Sequence, residues 1–200
     1  YDIESTIKGG VQRVQNGGVS EESNITGTGI QEIYVGGRAF NNTLSSGGTQ
    51  QVNSGGIAYR TNISSGGIMN VSGEAFEAAV SEGGNMTVLS GGTSENTTLS
   101  GGIMTVSRDA AAKSTIINSG TQNVFGKDYN ASVNGGSQII KGGGEASGTV
   151  VTGNGIQIVE KDGNASGVTV KSGGRQQVFG QAEGTVAAKG GTIELENGAK

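Results

Sequence analysis

A short pattern recurs along the whole chain: a glycine, a glutamine or methionine two residues later, and an aliphatic residue two further on. Eleven copies follow one another at steps of 16 to 19 residues, with Ile193 replacing the glutamine or methionine in the last copy. The period is near 19. A unit this short cannot bury a core alone, so neighbouring units must stack. We number the turns one to eleven by their opening glycines: Gly10, Gly29, Gly48, Gly67, Gly84, Gly102, Gly120, Gly136, Gly155, Gly174 and Gly191.

Three columns of residues at equivalent positions predict the core of the stack. The first is aliphatic: Val14, Ile33, Val52, Val71, Val88, Val106, Val124, Ile140, Val159, Val178 and Leu195. The second is also aliphatic: Ile7, Ile25, Leu44, Ile63, Val80, Leu99, Ile116, Val133, Val151 and Val170. The third is small: Ser20, Ala39, Ala58, Ala75, Ser94, Ala111, Ala146 and Ala165. Gly-Gly and Asn- or Asp-containing segments separate the columns and are typical of sharp corners between short strands.

This pattern predicts an all-β fold, a right-handed parallel β-helix (β-solenoid) of about eleven turns of roughly 19 residues. Parallel crossover connections favour the right hand. Residues 1–200 form a single repeat domain, and turns about 4.8 Å apart give a rod on the order of 50 Å long. The period is too long for a hexapeptide β-helix and too short for a propeller blade, and the leucines of leucine-rich repeats are missing.

The residue two before the first aliphatic column should also point inward, because side chains two apart in a strand share a face. This position holds glutamine in seven turns and Met69, Met86 and Met104 in three consecutive ones. Stacked glutamines can bond their amides along the column as a ladder. A half-exposed corner position that tolerates both residue types is the simpler alternative.

Candidates for chemistry are few. The chain has no cysteine or histidine, which removes disulfides, thiolate metal sites and the usual nucleophile–base pairs, and its net charge of −4 includes no basic stripe for nucleic acid. We expect no cofactor and no metal. Asp109, Asp128 and Asp162 fall at a similar corner, with Lys127 and Lys161 beside two of them. These residues could line the groove of a lyase or bind calcium. Alternatively, aspartate simply occupies corners whose backbone has left-handed geometry. The eight aromatic residues are expected to form no single line.

The motif Ser-Gly-Gly-x-Gln-x-Val-x-x-Gly-Gly-x-Ala, clearest over residues 44–71, resembles the AIDA-type repeat of self-associating autotransporter adhesins. This family includes AIDA, TibA and antigen 43. The resemblance covers nearly the whole chain, although the first unit and units six to eight are less regular. It implies a segment of a longer passenger, a right-handed β-helix exported through the periplasm to the outer membrane and cell surface of a Gram-negative bacterium.

The resemblance also implies function. Such passengers are non-enzymatic adhesins that attach to host-cell receptors and associate with further passenger copies. In the AIDA and TibA branch a bacterial heptosyltransferase modifies serines in short loops. The matching positions here are serines before a corner glycine: Ser46, Ser54, Ser65, Ser72, Ser90, Ser100, Ser119 and Ser172. Lys8, Asn16, Glu82 and Lys189 replace serine at equivalent corners and would interrupt a row of sugars.

Two other functions remain open on the sequence alone. A β-helix carbohydrate-active enzyme, either a polysaccharide lyase or a hydrolase, needs only two carboxylates and would place an acidic pair in one groove on adjacent turns. An ice- or surface-binding solenoid would need a flat face with a regular Thr-x-Thr array, and the scattered threonines do not supply one.

Overall fold

The computed structural model describes residues 1–200 and consists of 31 short strands joined by turns and bends. No helix long and apolar enough to cross a membrane is present. Each turn of the chain visits three faces in the same order. We call them face 1, face 2 and face 3, and the three bends between them the first corner (face 1 to 2), second corner (face 2 to 3) and third corner (face 3 to 1).

Face 1 carries the four-residue strands: Val11–Val14, Ile30–Ile33, Thr49–Val52, Ile68–Val71, Asn85–Val88, Ser137–Ile140, Ile156–Val159, Arg175–Val178 and Thr192–Leu195. Face 2 carries Asp2–Ile3, Val19–Glu21, Arg38–Phe40, Ile57–Tyr59, Glu74–Phe76, Thr93–Glu95, Ala111–Lys113, Lys127–Tyr129, Glu145–Ser147, Asn164–Ser166 and Gln181–Glu183. Face 3 carries Thr6–Ile7, Asn24–Ile25, Thr43–Leu44, Asn62–Ile63, Ala79–Ser81, Ser132–Val133, Val150–Val151, Thr169–Val170 and Val186–Ala187. Two longer strands, Thr98–Val106 and Ile116–Val124, run from face 3 into face 1.

Every strand pairs in parallel with the equivalent strand of the next turn, which confirms the predicted β-solenoid. The register advances by 19 residues where Val11 pairs with Ile30, by 17 where Ile68 pairs with Asn85, and by 16 where Thr121 pairs with Ser137. The mean period is therefore about 18 residues rather than 19. The shorter steps arise where corners lose residues.

The aliphatic columns form one continuous core. The first column is buried from Val14 to Val178, and only Leu195, in the last turn, is exposed. In the second column one assignment was wrong: Ile117, not Ile116, is the buried member, and it pairs with Leu99. In the third column Ala112, not Ala111, is buried and pairs with Ser94, and the next member is Asp128.

The long strands explain the error at Ile116. On the usual path from face 3 to face 1, Met69 comes six positions after Ile63, whereas Met104 comes five after Leu99 and Gln122 five after Ile117. In these two turns the chain remains extended through the third corner. The register shifts at this point, between Leu99 and Ile103. Val133 and Gln138 are also five positions apart, but a bend joins their strands.

The inward glutamine ladder is confirmed. Every member from Gln31 to Gln176, including the three methionines, is fully buried. Wherever one glutamine follows another in the column, its amide Nε2 donates to the Oε1 of the glutamine one turn earlier, at 2.6 Å for Gln50 to Gln31 and 2.7 Å for Gln157 to Gln138. The methionines interrupt the ladder with an apolar stretch that needs no partner. At the far end Ile193 offers no donor, and the Oε1 of Gln176 has no hydrogen bond.

Candidate functional site

The eight predicted serines fall at two of the three corners. Ser46, Ser65, Ser100, Ser119 and Ser172 lie at the third corner, while Ser54, Ser72 and Ser90 lie at the first corner. All are exposed except Ser72, which is half-buried because its corner is shorter. Ser100 and Ser119 do not lie in loops, as expected from sequence, but in the two long strands. Their side chains still face solvent, since the adjacent Gly101 and Gly120 have positive φ.

The hydroxyl groups of these serines do not contribute hydrogen bonds to the fold. None of the eight Oγ atoms makes a hydrogen bond within the protein. The backbone around them is fixed instead, because the Ser46 N–H donates to the Ser65 carbonyl at 2.8 Å and the Gly47 N–H donates to the Gly66 carbonyl at 2.9 Å. By contrast, the neighbouring Ser64 is half-buried and its Oγ donates to the Leu44 carbonyl at 3.1 Å.

The glycine that follows in the next turn leaves room around such a serine. A Cβ on Gly83 would lie 3.0 Å from the Ser65 Oγ, and one on Gly190 would lie 2.9 Å from the Ser172 Oγ. Both contacts are shorter than ordinary van der Waals distances. The corner thus presents a free hydroxyl beside bare backbone, which is an arrangement that a bulky group on oxygen can occupy.

The first corner varies in length, and this variation decides how far each corner projects from the rod. Most turns use four residues here, such as Asn53–Gly56, but three turns use two residues: Ser72–Gly73, Phe125–Gly126 and Phe179–Gly180. In each short corner the glycine N–H donates to the carbonyl of the aliphatic residue one turn earlier, at 3.0 to 3.1 Å. The chain is thereby held close to the rod, between longer corners that project on either side.

At the short corner of turn seven this arrangement opens a cleft of about 840 Å³. Its charged and aromatic lining residues are Arg108, Asp109, Phe125, Lys127, Glu145 and Asp162. Lys127 Nζ lies 3.6 Å from a carboxylate oxygen of Glu145. The sequence grouping of three corner aspartates was thus correct for Asp109 and Asp162 and wrong for Asp128.

Asp128 lies inside the rod, in the small-residue column, and is 1% exposed. Its carboxylate accepts hydrogen bonds from Gln122 Nε2 at 2.9 Å, Gln138 Nε2 at 2.8 Å and Thr115 Oγ1 at 3.4 Å, with no cation nearby. Burial raises the pKa of Asp128 to about 6, although these hydrogen bonds oppose the rise. The loss of two residues at Phe125–Gly126 moves Asp128 from the expected corner into the core column.

The aromatic residues also depart from expectation, because three of them do form a line. Phe40, Tyr59 and Phe76 occupy one outward position of face 2 on consecutive turns. Their rings are stacked, with centroids 5.2 and 5.0 Å apart and interplanar angles of 3° and 17°. Phe40 and Tyr59 both come eleven positions after the opening glycine of their turn, so the sequence could have revealed their alignment. Phe76 comes only nine positions after Gly67, because the first corner of turn four is two residues shorter.

Comparisons with known proteins add a similar protein of known structure. No protein-family model matches the chain, and no curated protein matches its sequence. Among solved structures, the chain is similar to the crystal structure of a TibA fragment that was hyper-glycosylated in a reaction catalysed by TibC. The two are 27% identical, the TM-score is 0.59, and the match covers 98% of this chain and 96% of that one. The likeness supports a TibA-like adhesin fold over the whole solenoid.

Proposed function

We propose that this chain is a module of a bacterial surface adhesin of the AIDA and TibA type, glycosylated on its corner serines. The end-to-end likeness to a hyper-glycosylated TibA fragment carries the proposal, because a similar fold over nearly the whole of both chains is accompanied, in that fragment, by a modified surface. The proposed protein is exported to the cell surface, attaches to host cells and associates with further copies of itself.

The eight serines support the glycosylation part of the proposal. Seven are exposed, all eight hydroxyls are free of hydrogen bonds, and Ser65 and Ser172 each lie beside a glycine of the next turn that leaves room for a substituent. The proposed partner is a heptosyltransferase that acts before export, on a chain that is not yet folded. Local sequence, a serine followed by a corner glycine, would then select the site, and the fold would afterwards expose the sugar.

A non-enzymatic role fits the carboxylates better than catalysis does. Glu145 and Asp162 line one cleft on adjacent turns, which is the arrangement that the enzyme alternative requires. Both side chains are exposed, however, whereas glycoside hydrolysis needs one carboxyl kept protonated by its surroundings. Asp128, whose pKa is raised, faces the interior and contacts no cleft.

Dense display of the passenger on a non-adherent bacterium tests the adhesin role. We expect the displaying cells to clump and to attach to cultured epithelial cells, since many weak contacts along a rod add through multivalency. Cells that display the same scaffold without residues 1–200 are the control. If display produced neither clumping nor attachment above that control, the adhesin proposal would be wrong.

Co-expression with the transferase tests the acceptor sites. Peptide mass spectrometry should find sugar on peptides with Ser46, Ser54, Ser65, Ser90 or Ser100. Ser65→Ala should remove one sugar and change the free energy of unfolding by less than about 0.5 kcal/mol. The matched control Ser64→Ala should keep the sugar count and cost about 1 kcal/mol, because it removes the hydrogen bond to Leu44. Sugar confined to strand residues such as Thr87 or Thr105 would refute this assignment.

A further inference from the structure

We infer that the cleft at the short corner of turn seven, beside Phe125, is a binding site for a neutral saccharide chain. The inference deepens the adhesin proposal and rests on it for its biological setting, because it names the chemical class of the ligand on the host surface.

The cleft is a fixed part of the fold and does not depend on a mobile loop. A Cβ on Gly126 would lie 2.2 Å from the Ser107 carbonyl oxygen and 2.4 Å from that of Ala110, so this corner packs directly on the turn before it. One wall is the four-residue corner of turn six, with Arg108 and Asp109, and the other begins at Gly142 and Gly143 of turn eight. A Cβ on Gly143 would meet nothing within 4 Å, which leaves that wall open to a ligand.

Phe125 gives the cleft an apolar surface. Its side chain is 36% exposed, beside a set of charged groups. An aromatic ring in this setting can pack against the C–H face of a sugar ring, while polar groups around it bond the hydroxyls. Phe179 occupies the equivalent short corner three turns later with 40% exposure, but the 840 Å³ cleft lies at Phe125.

The charges of the lining select against a strongly charged ligand. Arg108 and Lys127 are positive, while Asp109, Glu145 and Asp162 are negative, so the lining offers both hydrogen-bond donors and acceptors. Charged side chains make strong hydrogen bonds to neutral hydroxyls, whereas an anionic polymer would approach three carboxylates. A hydroxyl-rich neutral chain satisfies both kinds of group.

The dimensions favour a chain over a single sugar. The lining runs from the corner of turn six to that of turn nine, and three inter-turn steps of about 4.8 Å give a length of roughly 14 Å. The cleft is open to solvent along this length. Several linked saccharide units therefore fit, with one unit against Phe125.

The test measures binding of the purified chain to an array of neutral and acidic oligosaccharides, followed by titration of the best neutral member. We expect neutral members to bind, and Phe125→Ala to weaken binding at least about tenfold. The double variant Asp109→Asn with Asp162→Asn, which leaves the apolar core untouched, should weaken it similarly. Phe179→Ala is the matched control and should bind as the unmodified chain does. Circular dichroism checks that each variant is folded, and the double variant decides the outcome if Phe125→Ala is not.

Several results would overturn the inference: no neutral saccharide bound, acidic saccharides bound in preference, both cleft variants binding normally, or Phe179→Ala losing as much as Phe125→Ala. Cell attachment separates this inference from the proposed function. If Phe125→Ala left cell attachment undiminished, the cleft would not be the site that binds the host surface. The adhesin role of the passenger would be unaffected by that result. If the unmodified passenger did not attach to cells, the adhesin proposal would be wrong. The array would then be the only test of saccharide binding by the purified chain.

Discussion

Gly48→Ala is expected to destabilise the solenoid by more than about 4 kcal/mol, which is a large fraction of the stability of an ordinary chain. The added Cβ would lie 2.0 Å from the carbonyl oxygen of Ile25 and 2.4 Å from its carbon, in the turn before. Backbone hydrogen bonds fix the spacing there, since the Ser45 N–H donates to the Ile25 carbonyl at 3.1 Å and the Thr49 N–H to the Gly29 carbonyl at 3.0 Å. Neither turn can therefore move away.

Gly10→Ala supplies a matched control for this clash. Gly10 opens turn one at the same position of the repeat, but a Cβ there meets nothing within 4 Å. We expect a change of no more than about 0.5 kcal/mol. Denaturant unfolding, followed by β-type circular dichroism, measures both. Equal effects at the two positions would mean that close stacking of turns does not explain the recurring glycine.

Asp128→Ala is expected to stabilise the protein at neutral pH, by up to about 3 kcal/mol above pH 7. The folded chain holds a proton on Asp128 up to a pKa of about 6, whereas the unfolded chain releases it near the ordinary value of 3.8. The stability that Asp128 contributes is thus complete below about pH 4 and is lost as the pH rises through 6. Alanine continues the column between Ala112 and Ala146.

The ladder survives this change, because Gln138 still donates to Gln122 at 2.9 Å and Gln122 still donates to Thr115 at 3.2 Å. Unfolding free energies measured from pH 4 to pH 8 provide the test. The unmodified chain should lose stability relative to Asp128→Ala across this range. Asp162→Asn, at an exposed corner, should follow the unmodified chain. If Asp128→Ala were the less stable protein at pH 8, Asp128 would be a favourable charge in the core and this account of it would be wrong.

The repeat predicts the fold because stacked turns leave few possible positions for the inward-facing residues. A fixed step, with inward residues two apart, is enough to place the buried glutamines and methionines as well as the first aliphatic column. The exposure of the serines also follows, with half-buried Ser72 as the exception, because a residue before a corner glycine lies at a bend outside the inward-facing columns. The glycosylation itself and its acceptors remain predictions.

The errors lie where corner lengths change, because a lost residue cannot be assigned to a particular corner without inter-turn pairing. Two adjacent isoleucines, Ile116 and Ile117, fit the second column equally well until the pairing with Leu99 decides between them. Ala111 and Ala112 pose the same ambiguity. The short corner Phe125–Gly126 moves Asp128 inward and creates the cleft. In the sequence, the two-residue corners are indicated only by the short steps of 17, 16 and 17 residues in turns four, seven and ten.

The intact mass of the chain, purified with and without co-expressed heptosyltransferase, most directly tests whether this solenoid carries sugars at its corners. We expect a series of species above the unmodified 19.9 kDa, separated by the mass of one heptose, with no more additions than the eight candidate serines. Each Ser→Ala change at an occupied corner should shorten that series by one. A single species at the unmodified mass, in the presence of an active transferase, would contradict it.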